Sequence, residues 1–337
     1  MKILLLSCYE LGHQPLSLAW PHAMLEEAGH TVKAADLSQD RLPRHAAKTA
    51  AFVGIAVPMH TALRLGVATA KKVRRLNPTA HLTFYGLYAH LNADYLLSEG
   101  LADSIIAGEY EEPLVELASA LAAGKPLTAV SSLTTKQQAA QPHLARLTLP
   151  VPNRQTLPSL GDYARYMYNG EQRVAGYVEA SRGCLHHCLH CPVVPIYNGR
   201  FFSIAAETVL ADIRQQVAAG AQHITFGDPD FLNGARHALR IARALHAEFP
   251  WLTFDFTTKV EHILKRRSIF PELAKCGARF VISAIESIDN YVLDKLNKRH
   301  TADDIETALT ILADAGHHMQ PTLVAFTPWL SLDGYLA

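Results

Sequence analysis

The chain has 337 residues, 49% of them hydrophobic, and its 31 basic and 31 acidic side chains cancel. That length fits about two domains, and the balanced charge offers neither nucleic acid nor an anionic membrane an electrostatic hold. There is no apolar run of about 18 residues to span a bilayer, and five cysteines, three of them within eight positions, fit reduced thiols in a cytoplasm better than a disulfide framework.

The start, MKILLLSCYELGHQP, lacks the longer apolar core and small-residue cleavage site of a signal peptide and reads as a first strand over 2–7. A helical pattern follows over 18–29, then strands at 31–36 and 52–57. An amphipathic basic helix over 62–76 ends at Asn77-Pro78. Strands at 81–85 and 104–106 complete five short strands alternating with helices. This alternation predicts an α/β fold that begins with a doubly wound, Rossmann-like parallel sheet, with ligands at the carboxyl ends of its strands. No GxGxxG occurs, so a dinucleotide site has little support.

Two loops, FYGLYAH (84–90) and AGEYEEPL (107–114), together with the strand order, make residues 1–123 resemble the cobalamin-binding domain that precedes many radical S-adenosylmethionine (SAM) enzymes. The resemblance is incomplete. There is no Asp-x-His-x-x-Gly, so it implies no lower axial histidine, although base-off binding without one is known in the family. Tyr85, Leu87 and Tyr88 replace the small residues that usually accommodate the corrin. Retained cobalamin and a purely structural domain shaping a substrate entrance both stay open.

Residues 124–172 carry Pro126, Pro142, Pro150, Pro152 and Pro158 with little apolar periodicity, and read as a connector. From 173 the alternation resumes. Strands are expected at 176–181, 223–228, 252–258, 278–287 and 318–326, and helices at 205–219, 235–249, 261–276 and 301–315. Five βα-type strands with short connections predict a partial (β/α) barrel over 173–337, with its site at the carboxyl ends of the strands. A six-stranded barrel needs one further unit, so a C-terminally truncated barrel is expected.

The chemistry concentrates in GYVEASRGCLHHCLHCPVVPIYNGRFF (176–202), where Cys184, Cys188 and Cys191 stand at spacings of four and three. Zinc normally takes four protein ligands in a structural site, and no second CxxC supplies one; Cys8 and Cys276 stand alone. A 4Fe–4S cluster can be held by three cysteines if another molecule occupies the fourth iron. His186, His187 and His190 are a second, weaker metal-ligating pattern. Asp228 and Asp230 at a βα turn suit helix capping as well as ligand contact, and Glu286 suits a buried acid paired to Arg or Lys.

The Cys-x-x-x-Cys-x-x-Cys spacing resembles that of radical SAM enzymes over about residues 172–337. The resemblance implies a 4Fe–4S cluster on Cys184, Cys188 and Cys191, with SAM on its fourth iron and one electron from a flavodoxin or ferredoxin. It also implies SAM contacts. His190 stands in the slot of an aromatic near the adenine. Gly227, Asp228 and Asp230 of GDPD stand in place of the family's Gly-Gly-Glu, an aspartate replacing the glutamate. Lys259 follows the third strand, Glu286 and Ser287 match Gly-x-Glu-Ser, and Arg299 is placed to meet the SAM carboxylate. CPVVPIYNGRF and AGAQHITFGDPDF further resemble a narrow subgroup with a cysteine-bearing C-terminal tail. That likeness implies transfer of the 3-amino-3-carboxypropyl group of SAM to trivalent arsenic, as in arsinothricin biosynthesis, with the arsenic-binding thiols past Ala337. A cobalamin-dependent methyltransferase acting on a small molecule or peptide, and a non-enzymatic iron–sulfur protein, remain as alternatives.

Overall fold

Strand β1 (Lys2–Ser7) sends Leu4 and Leu6 to one face and Ile3 and Leu5 to the other, and all four are buried. The same alternation recurs in β3 (Phe52–Ala56) and β4 (His81–Tyr85). Val53, Ile55, Leu82 and Phe84 join Leu4 and Leu6 in one core, whereas Phe52, Ala56 and Tyr85 join Ile3 and Leu5 in the other. A sheet apolar on both sides must be covered on both sides. The helix His60–Leu76 covers the first face, and Leu16–Glu27 and Glu111–Ala122 cover the second. With β2 (Thr31–Asp36), β5 (Ser104–Ile106) and β6 (Leu133–Thr134), the order is β2-β1-β3-β4-β5-β6. The first five strands are parallel and β6 is antiparallel. This is the expected doubly wound sheet, reversing direction of build between β1 and β3.

The computed structural model describes residues 1–146 and 148–336, and the chain divides into two units, Met1–Ala164 and Arg165–Ala337. The expected connector does not stand apart. Its first part packs on the first unit: β6 extends the sheet, Arg154 donates to Gln14 Oε1 (2.9 Å), and the Tyr163 hydroxyl donates to Asp36 Oδ2 (3.0 Å). Its last part, β7 (Arg165–Tyr168), pairs antiparallel with β8 (Glu171–Val178) in the second unit. Proline-rich composition reported the lack of periodicity correctly, but side-chain hydrogen bonds can anchor an aperiodic segment as firmly as a helix.

The second sheet has the order β14-β13-β12-β11-β8-β7, built with β11 (His223–Phe226), β12 (Thr253–Thr257), β13 (Ala278–Glu286) and β14 (His318–Leu323). The strands β8, β11, β12, β13 and β14 run parallel, giving the half-barrel. The helix expected over 261–276 is two helices, Val260–Lys265 and Phe270–Lys275, separated by a 3₁₀ turn. Pro271 opens the second, where its missing N–H costs nothing but would break a continuous helix. Strand β14 carries Pro321 and lies at the sheet edge, where a lost ladder donor is tolerated. Among the described residues no helix is long and apolar enough to cross a membrane.

Candidate metal centre at the carboxyl end of the second sheet

The three-cysteine loop leaves the carboxyl end of β8 through a short strand, β9 (Ser181–Gly183), and returns through β10 (Phe201–Ser203), which pairs with it antiparallel. The loop is therefore clamped at its base. Gly183 has φ +77°, and a Cβ there would lie 2.4 Å from the Arg200 carbonyl oxygen and 2.5 Å from Tyr197 Cδ1, so only glycine closes the clamp. Within the loop Cys191 N donates to Cys188 O at 3.2 Å. At its far side Leu189 N donates to Leu296 O (3.1 Å) and Asn297 Nδ2 to His187 O (2.9 Å), tying the loop to the segment after β13.

Cys188 is buried, Cys184 and Cys191 partly so, and all five cysteines are free thiols. Burial pushes the Cys184 thiol up to about 11 and raises that of Cys191, so both keep their protons at neutral pH unless a metal displaces them. Within the second unit the remaining cysteine cannot complete the set: Cys276 precedes β13, at the amino end of a parallel sheet whose carboxyl end carries the loop. Three soft donors on one loop, with no fourth at that end, fit a cluster that leaves one iron open to another molecule.

The GDPD turn follows β11. A Cβ on Gly227 would collide with the Tyr177 hydroxyl (2.0 Å), so glycine is needed for Tyr177 to lie against this turn. Asp228, 2% exposed, accepts from Ala180 N (2.9 Å) and Ser181 Oγ (2.5 Å), bracing the start of the cysteine loop. Burial pushes its carboxyl up to about 7, against the lowering effect of these donors. Asp230 is fully buried and caps the next turn through Leu232 N (3.0 Å). Its other partners are Thr258 Oγ1 (2.7 Å), Lys259 N (3.2 Å) and His262 Nδ1 (2.9 Å). Burial alone would raise it, but the His186 and His262 imidazoles and the Thr258 hydroxyl around it hold it below the ordinary carboxylate range. Both aspartates thus bond to protein partners, but only Asp230 takes the capping role open to them from sequence; Asp228 instead holds Ala180 and Ser181, where β9 begins.

At the end of β13, Glu286 takes φ +66°, uncommon for a residue with a side chain. This turn sends its Oε1 to His190 Nε2 (3.1 Å) and Lys298 Nζ (3.4 Å). Burial would raise its pKa, yet the His190 hydrogen bond and the Lys298 charge lower it. Lys298 is 2% exposed, whereas the neighbouring Arg299, the cation singled out from sequence, is exposed. The Ser287 hydroxyl accepts from Asp289 N (3.0 Å). Lys259 is buried with its ammonium 3.8 Å from Glu261 Oε2. His190, Glu286 and Lys298 therefore meet, joining the cysteine loop to β13. Sequence reasoning missed Lys298, Glu261 and His262. For His262 a signal existed: it lies three positions after Lys259 at a helix start, on the same face.

Residues 178–327 match the model of the radical SAM superfamily. Among curated proteins the chain is similar to the hopanoid C-3 methylase of Methylococcus capsulatus, with 24% identity over 233 residues. That match covers 68% of this chain and 44% of the methylase, so the chain spans less than half the length of this relative. One similar solved structure is the radical SAM methyltransferase TsrM of Kitasatospora setae with cobalamin and a [4Fe-4S] cluster bound: TM-score 0.73, 18% identity, 96% of this chain and 69% of that one. Another is the cobalamin-dependent SAM radical enzyme OxsB with aqua-cobalamin bound: TM-score 0.79, 16% identity, 99% of this chain and 50% of that one. At these identities the structural likeness is one of fold.

Proposed function

We propose that this protein, whose residues 178–327 match the radical SAM superfamily, is a radical SAM transferase of the cobalamin-dependent methyltransferase type, acting on a small molecule or peptide. The observation that carries the proposal is the Cys184, Cys188, Cys191 loop, clamped at the carboxyl end of a half-barrel that offers no fourth cysteine there. The first unit supports the cobalamin part. Its strand order has a switch point between β1 and β3, where sheets of this kind bind ligands, and the Tyr85 ring is buried in the core with its hydroxyl donating to Ser17 O at 2.8 Å. The fold likeness to cobalamin-bound enzymes runs over 96% and 99% of the chain.

When bound, the cluster supplies the electron that splits a C–S bond of SAM and cobalamin relays a methyl group. The chain's residues bind, orient and shield. Cys184, Cys188 and Cys191 hold the cluster. Gly227, His190, Glu286 and Ser287 line the strand ends offered to SAM, with Lys259 and Arg299 as cations for its carboxylate. Asp228 positions the loop through Ala180 and Ser181. A flavodoxin or ferredoxin is the class of reductant required.

A second reading, aminocarboxypropyl transfer to arsenite, rests on the likeness of CPVVPIYNGRF and AGAQHITFGDPDF to enzymes of that reaction. One experiment separates the readings: the full-length protein with reconstituted cluster, SAM, cobalamin and reductant, assayed with and without arsenite. S-Adenosylhomocysteine that depends on cobalamin is the expected product. 5′-Methylthioadenosine formed only with arsenite would replace methyl transfer by the arsenic reaction. No SAM turnover under dithionite would leave a non-enzymatic iron–sulfur protein.

A further inference from the structure

Beside the cysteine loop lies a second set of metal-ligating atoms. One donor atom each from His186, Asp230 and His262 lies within 4.8 Å of the other two. Asp230 Oδ2 is 3.3 Å from His186 Nε2 and 2.9 Å from His262 Nδ1, and the two imidazole rings are 4.7 Å apart. Metal–ligand bonds of about 2.0–2.1 Å give donor separations of about 3.0 Å in an octahedron and about 3.4 Å in a tetrahedron, so both distances fit one ion. All three side chains are at least nine-tenths buried, with 9%, 0% and 9% exposure.

Hydrogen bonding leaves this cluster incomplete. His186 Nε2 lies 3.3 Å from the carboxylate without forming a hydrogen bond, and Glu261 Oε2 is likewise buried without one, its neighbours being Lys259 Nζ at 3.8 Å and His186 Nδ1 at 3.6 Å. An unsatisfied buried imidazole nitrogen is costly and calls for an occupant. The surroundings are those of a prepared ligand set. Glu261 Oε2 is 3.6 Å from His186 Nδ1, placing a carboxylate behind the ligating ring as metal-bound histidines commonly have. Asp230 Oδ1 is held by Thr258 Oγ1 and Leu232 N, while Oδ2 faces the two imidazoles and also accepts from Lys259 N at 3.2 Å.

We propose that His186, Asp230 and His262 form a second metal site, distinct from the three thiols, that takes one zinc-type divalent cation. Two imidazoles and a carboxylate suit borderline first-row ions, and zinc accepts exactly such N/O sets. The ligands come from three elements: the cysteine loop, the turn after β11, and the helix Val260–Lys265. The ion fastens the middle of the cysteine loop, between Cys184 and Cys188, to the half-barrel.

The test separates this site from the thiols. In the full chain, freed of any affinity tag, Cys184, Cys188 and Cys191 are all replaced by alanine, and zinc binding is measured by competition with a chromogenic chelator. One zinc per chain is expected, and cobalt in its place gives visible bands without thiolate charge transfer. His262→Gln and Asp230→Asn each weaken binding by at least about 100-fold, and Glu261→Gln by about 10–100-fold. Should the triple variant lose native circular dichroism, the cluster-loaded parent is used: His262→Gln then lowers zinc but leaves iron unchanged. No zinc in either protein, or zinc unaltered by His262→Gln, overturns the site. The proposal does not depend on the cluster, since zinc is read either in a chain without the three thiols or separately from iron.

Discussion

Cys188 is the most buried of the three loop thiols and the middle ligand of the proposed cluster. Cys188→Ala removes a thiolate ligand, and the expected result is loss of the cluster's broad visible absorption together with all SAM cleavage. A variant retaining both would show that the loop does not hold the cluster. Asp228 gives a prediction about pH. Its folded carboxyl titrates near about 7, against about 3.9 for a free aspartate. Between those values the folded state keeps a proton that the unfolded state releases, so this group's contribution to stability falls as pH rises from about 4 to about 7 and then levels. Asp228→Asn keeps the side chain's shape and abolishes the titration. The urea midpoint of the variant relative to the parent should therefore climb across that window, and parallel profiles would refute the assignment. Glu286 shows what LNKRHT does not reveal. With φ +66° at its own backbone, its carboxylate meets Lys298, a choice made by chain direction after β13.

Among elements, the β9–β10 clamp bears most on the site. Its geometry requires Gly183 at φ +77°, where a side chain costs about 1–2 kcal/mol from backbone strain alone. The contact with the Arg200 carbonyl adds to that. Gly183→Ala is expected to lower the iron bound per chain after reconstitution while leaving the first unit's far-ultraviolet signal and cobalamin binding intact. Full iron loading in this variant would show that the clamp does not shape the loop. The helix Ala302–Asp314 illustrates the opposite case, an end set entirely by local sequence. Thr301 and Asp304 form a reciprocal capping box, with the Thr301 hydroxyl accepting from Asp304 N and the Asp304 carboxylate accepting from Thr301 N at 2.9 Å.

For the whole molecule, the division at Ala164–Arg165 gives each unit its own sheet. Ligands of the first unit should then stabilise that unit selectively. Cobalamin at about 100 times its Kd adds about 2.7 kcal/mol to the state that binds it. Calorimetry of the cluster-free chain is expected to show two transitions, of which cobalamin raises one. The transition it leaves in place is the one that Gly183→Ala lowers. A single transition raised as a whole would mean that the units unfold as one, and no shift at saturating cobalamin would remove the cofactor from the proposal.

Strand positions, the doubly wound order and the cysteine loop could be read from the chain because they depend on local periodicity: alternation buries both faces of a parallel sheet, and thiol spacing is a property of one loop. The capping box after β13 is legible for the same reason. Tertiary structure alone decided the rest. The proline-rich stretch became part of the first unit through long-range hydrogen bonds from Arg154 and Tyr163, contacts with no sequence period. Asp228 and Asp230, separated only by Pro229 in GDPD, acquired opposite electrostatics. One is buried against two donors, and the other is surrounded by two imidazoles, a hydroxyl and backbone N–H groups. The meeting of His186, Asp230 and His262 spans 76 positions of chain and exists only because parallel strands bring their carboxyl ends, and whatever follows them, to one edge.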